Sequence, residues 1–176
     1  MLTPYRFVTT FSIPAPQPAV FETLSHLDQW ASKWPAAETV VVADGGGPDG
    51  TGRSVAAILR APMGYVIGVQ FITEHIEPPT RLDVIVEGDV RGWGSWRLTE
   101  ANGVTSGSYL WEVVTTKRWM NLLAPLARPV FEWNHDRTMR NSLTAVCAHL
   151  GVDLLEVMTT TWRDPDSFPS EVTGRS

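Results

Sequence analysis

The sequence predicts an α+β domain in which a long C-terminal helix closes over a curved antiparallel sheet of about seven strands and encloses an apolar space. Three observations carry this. Six strand-like runs follow one another between residues 39 and 115, and the links between them are short and rich in turn residues, which implies an antiparallel meander. Residues 130–150 then carry an unbroken apolar pattern at helical spacing. The chain also holds eight tryptophans, large apolar bodies that belong in an aromatic core or a pocket wall.

The elements follow in order. Tyr5–Ile13 (YRFVTTFSI) is rich in aromatic and β-branched residues and reads as a strand. Pro14, Pro16 and Pro18 end it. Val20, Leu24 and Leu27 then recur at helical spacing, and Trp30 and Trp34, four apart, continue as a second short helix that Pro35 stops. Thr39–Ala43 begins the sheet proper. Residues 44–52 (DGGGPDGTG) form a turn, and Ser54–Ala61, Tyr65–Ile76, Leu82–Glu87, Gly92–Thr99 and Thr105–Thr115 follow as strands. Leu82, Val84 and Val86 share one face, as do Tyr109, Trp111 and Val113, with Asp83, Glu87, Ser108 and Glu112 on the other. A sheet with one wet face shows this alternation, and its dry face needs a cover.

The cover is the last helix. Trp119–Leu126 is apolar and helical in pattern, and Pro125 and Pro129 predict a bend or short break before Val130. From Val130 to Leu150, Phe131, His135, Met139, Ser142, Leu143, Val146 and Leu150 gather on one face, with Asn134, Arg137, Asn141 and Thr144 on the opposite arc. Such a helix is roughly 30 Å long, enough to cross the sheet. Gly151 is a stop signal. The domain is therefore expected over 1–151, with 152–176 as a polar, partly disordered tail.

Composition narrows the function. The chain has 176 residues, 43% apolar and 19% charged, with net charge −5. That fits one globular domain. No basic run exists for a nucleic acid. No stretch reaches the roughly 20 apolar residues that span a bilayer. The single Cys147 fits a reducing compartment, and no signal peptide is visible, so a cytoplasmic location is expected.

Chemical motifs are few. Gly45, Gly47 and Gly50 satisfy GxGxxG, but Pro48 sits inside and a strand follows, so a tight turn is the better reading than a dinucleotide site. Glu132 and His135 form one ExxH pair, whereas a di-iron site needs two pairs and further glutamates. His26, His75 and His149 lack ligand spacing. No metal and no cofactor is expected. Cys147 reads as a small core residue. His135 stands out as a polar group on the apolar helix face. It is either a hydrogen-bonded core histidine or a pocket-lining donor and general acid/base. Trp96, Tyr109, Trp111, Met120, Phe131 and Met139 should point between sheet and helix, with Ser142 as a second polar group there. They are core if the space is filled and pocket wall if it is open. Trp119, Met120, Leu122 and Leu123 are either a lid or a packed helix start.

The segments EHIEPPTRLDV, GDVRGWGSWRLTEANGVTSGSYLWEVVTTKRWM and LLAPLARPVFEWNHDRTMRNSL resemble the polyketide cyclase/dehydrase branch of the SRPBCC (START and Bet v 1-like) superfamily. The resemblance spans most of residues 3–150. It implies the helix-grip fold and a small hydrophobic ligand, such as a lipid or polyketide, held between sheet and helix. Gly107 replaces the larger apolar residue common in that branch, which could widen the pocket. Three functions follow. The first is binding of such a ligand, for transport, sensing or sequestration. The second is a cyclase, aromatase or dehydrase in which His135 and Tyr109 move protons. The third is a ligand-free interaction module using Trp133 or Trp162. Self-association into a homodimer is compatible with any of them.

Overall fold

Aromatic and β-branched residues set the first strand, and burial alternates along it: Tyr5, Phe7, Thr9, Phe11 and Ile13 are all buried. In the computed structural model, which describes residues 4–162 apart from the side chains of residues 118–128, this strand (β1, Tyr5–Ile13) is followed by α1 (Gln17–Ser25), α2 (Leu27–Trp30) and a short 3-10 turn (Ala31–Lys33). Pro16 caps α1 from an extended conformation and Pro18 sits in its first turn, where no backbone N–H is missed. Trp30 Nε1 donates to the Thr23 carbonyl at 2.9 Å and ties α2 back onto α1.

Strands β2 (Ala37–Asp44), β3 (Ser54–Arg60), β4 (Val66–Glu77), β5 (Arg81–Gly88), β6 (Val90–Ala101) and β7 (Val104–Thr115) form the expected meander. β7 then pairs with β1, giving the order β2-β3-β4-β5-β6-β7-β1-β8 in one antiparallel sheet. The sheet thus has eight strands where about seven were expected. The extra strand is β8 (Glu156–Thr161), from a stretch expected as tail. It pairs with β1, turning Val157 toward the core and placing Thr159 Oγ1 3.0 Å from Thr9 Oγ1. Only alternate residues of EVMTTT are half-buried, so the run lacks the apolar weight that marks a strand in sequence.

Helix α3 runs unbroken from Arg118 to Leu150, without the break expected at Pro125 and Pro129. Each proline removes one backbone N–H, and here the helix continues past both. Gly151 ends it in the left-handed conformation at φ 73°, its N–H bonded to the Cys147 carbonyl. Leu143, Val146 and Cys147 are fully buried. No helix among the described residues is long and apolar enough to cross a membrane.

Candidate functional site

The inner face of the sheet does not meet α3 everywhere. Between them lies a cavity of about 240 Å³, walled almost entirely by apolar side chains from β1, β3–β7, the α1–α2 region and α3. One buried water needs on the order of 10–15 Å³ on this scale, so the space is far larger than a packing defect.

Two rows of rings build the walls. Across the sheet, Trp96 stacks on Tyr109 at 4.0 Å and 20°, Tyr109 meets Trp111 at 5.5 Å, and Phe11 and Phe71 lie beyond at 5.9 and 6.4 Å. Toward the helix, His135 lies flat on Phe7, while Phe131 is edge-on to both Tyr5 and Tyr65. Offset and edge-to-face contacts of this kind add to the stability that burial gives. The first row depends on Gly94: a Cβ there would come within 2.4 Å of the Tyr109 hydroxyl, so the tyrosine can lie across β6 only because that position is bare.

Trp96, Tyr109, Trp111, Phe131, His135, Met139 and Ser142 all line the cavity. The Met120 side chain, like those of Trp119, Leu122 and Leu123, lies outside the described residues. The Ser142 hydroxyl donates to the Met139 carbonyl, 2.9 Å away on its own helix. Gly107 does not widen the space. A Cβ on it would meet the Phe11 ring at 2.2 Å and Leu98 at 2.8 Å, so Phe11 already fills the room.

Several cavity residues were not singled out as site residues by the pattern. Asn134, expected on the outer arc, is buried, and its Nδ2 donates to the Tyr65 hydroxyl at 3.1 Å. At 3.6 residues per turn it lies only about 60° from Phe131, on the side of Thr138, and both Asn134 and Thr138 face the cavity. Tyr65 joins the wall, whereas Gln70 points away and donates to Ser54 Oγ at 3.2 Å. Trp34 and Arg53 complete the α2 end, where Arg53 Nη2 sits 2.6 Å from Asp28 Oδ1. A polar residue within a run of cavity-lining positions was the available signal for Asn134. Nothing local marks Arg53.

A family model described as polyketide cyclase / dehydrase and lipid transport matches residues 4–151. The chain belongs to that family. Solved structures agree on the fold. The Zhui aromatase/cyclase of Streptomyces sp. R1128 is 18% identical with a TM-score of 0.69, over 85% of this chain and 94% of that one. A START superfamily protein from Mycobacterium smegmatis is 10% identical with a TM-score of 0.67, over 84% and 97% of the two chains. A protein from Thermus thermophilus is 20% identical with a TM-score of 0.65, over 81% and 97%. No curated protein sequence matches the chain.

Against this family background the polar groups of the wall are sparse and dry. Both His135 ring nitrogens are sealed and without a hydrogen-bond partner, although an edge of the residue remains accessible. Burial lowers its pKa to about 3, so the imidazole is neutral at physiological pH. Burial likewise raises the Tyr109 hydroxyl well above its usual range. Burial also raises Tyr65, with a smaller push from Tyr5 and a partial offset from the Asn134 hydrogen bond. Asn134 Oδ1, Trp34 Nε1 and Arg53 Nε are buried without partners. Cys147 is a core thiol whose pKa rises to about 11, first through burial and then through Asp153. Among the described residues no group of three His, Cys, Asp or Glu is placed to hold a metal. The GxGxxG loop closes on itself, with Gly46 N bonded to Asp44 Oδ1 and Gly47 N to the Thr51 carbonyl.

Proposed function

We propose that this protein binds a small hydrophobic molecule, of lipid or polyketide character, in the cavity between its sheet and α3. The observation that carries the reading is the open, aromatic-walled space itself. A protein interior is normally close-packed, and a large void forfeits contacts on every side. A ligand that fills it restores those contacts and removes its own apolar surface from water, worth about 25 cal/mol per Å² before ordering costs. Trp96, Tyr109, Trp111, Phe131 and Met139 would supply the wall, and His135, Asn134 and Tyr109 the orienting groups.

The family description includes polyketide cyclases and one structural neighbour is named an aromatase/cyclase, so a cyclase reading stands second. It assigns proton transfer to His135. A sealed imidazole with a pKa near 3 is a poor acid/base at neutral pH, which favours binding over that chemistry. Native mass spectrometry of freshly purified protein tests the first reading. A copurified small molecule, or a saturable tryptophan-fluorescence response to members of a lipid and polyketide panel, supports it. Bare protein with no response to any member counts against it.

A further inference from the structure

Resting on that reading, we infer that Trp34 and Arg53 form a subsite at the α2 end of the cavity that holds a neutral carbonyl oxygen of the ligand. Two buried donors without acceptors carry the inference. Trp34 Nε1 and Arg53 Nε each have no partner, and both residues line the cavity. They belong to one neighbourhood. Arg53 is held by Asp28 of α2 at 2.6 Å, and the Trp34 ring packs on Trp30 of the same helix at 5.6 Å between centroids. A buried N–H left unsatisfied costs about 1–3 kcal/mol, so a ligand oxygen placed here would recover free energy that the empty fold gives up.

The charge balance chooses the kind of oxygen. Asp28 already neutralises the guanidinium through Nη2. A ligand carboxylate would bring a second negative charge beside Asp28, whereas a ketone or ester oxygen accepts a hydrogen bond at no such cost. The α3 wall of the cavity differs in kind. There the unpartnered groups are the Asn134 carbonyl oxygen and the neutral His135 ring, which can accept from a ligand hydroxyl. The ligand is thus oriented with its carbonyl toward α2 and any hydroxyl toward the middle of α3.

Prodan, a neutral naphthyl ketone whose emission moves to longer wavelength when its carbonyl accepts hydrogen bonds, tests this. Its partner probe is the same naphthalene with a propyl group in place of the propionyl group. Both are titrated into wild type, Trp34→Phe and Arg53→Lys, and thermal unfolding confirms that each variant is folded. The inference expects wild type to prefer the ketone. Each variant should weaken the ketone at least roughly threefold, the lower range of one hydrogen bond, and shift its emission to shorter wavelength while weakening the propyl probe clearly less. Equal ketone affinity and emission in all three proteins overturns the subsite while the cavity reading stands. Failure of both probes to bind wild type overturns both.

Discussion

The imidazole of His135 lies parallel to the ring of Phe7, with centroids 3.9 Å apart and planes 7° from parallel. An aromatic stack at this distance leaves no room for water on that face. The stack covers one face of a histidine whose two ring nitrogens are buried without partners, and that burial keeps the imidazole neutral.

The first prediction follows from that neutrality. The folded-state pKa of about 3 lies below the unfolded value near 6.5. Between those values the unfolded chain binds the extra proton, so stability rises with pH across the window and is lost as pH falls from about 6.5 toward 3. Urea unfolding at pH 7, 6, 5 and 4.5 should show a steeper fall for wild type than for His135→Phe. The difference should approach about 1.4 kcal/mol per pH unit below pH 6, the value of one proton. Parallel pH profiles would show that His135 is hydrated in solution.

Much of this arrangement was legible in the sequence. The meander and the aromatic faces of β6 and β7 follow from period-two alternation and turn residues, which are local signals. The late helix was legible in the same way, but its start was not, because prolines weaken a helical pattern without always ending the helix. Asn134 was lost because the helical face drawn through Phe131, His135, Met139 and Ser142 was too narrow to include its arc. β8 was lost because Thr159, Thr160 and Thr161 carry little apolar signal and gain order only by pairing with β1. Arg53 and Trp34 reach the same cavity through tertiary packing, for which no short-range spacing exists.

Gly107 gives a second prediction. Gly107→Ala should destabilise by about 1–3 kcal/mol, because its Cβ would overlap the Phe11 ring in a full site. A lowered Tm with unchanged probe affinity is the expected pair of results. An unchanged Tm would mean that Phe11 has another place to go.

Asn134 gives a third. Asn134→Leu removes one hydrogen bond to Tyr65, worth about 1 kcal/mol, but it also removes a buried unpartnered oxygen that costs about 1–3 kcal/mol. The variant should be at least as stable as wild type in thermal unfolding, and should bind a hydroxyl-bearing apolar ligand less tightly than its deoxy analogue. A large loss of stability would show that the Oδ1 atom has a partner in solution. Polar groups kept at a cost in stability are expected where function needs them.

The central claim is that the space between sheet and helix receives a ligand. A titration of the neutral dye Nile red into wild type and into Val84→Phe, which fills the cavity from the β5 wall, tests it most directly. The account predicts saturable one-to-one binding to wild type, and at least a tenfold loss in a Val84→Phe protein that unfolds no earlier than its parent. Equal dye binding by the two proteins, or none by wild type, would contradict it.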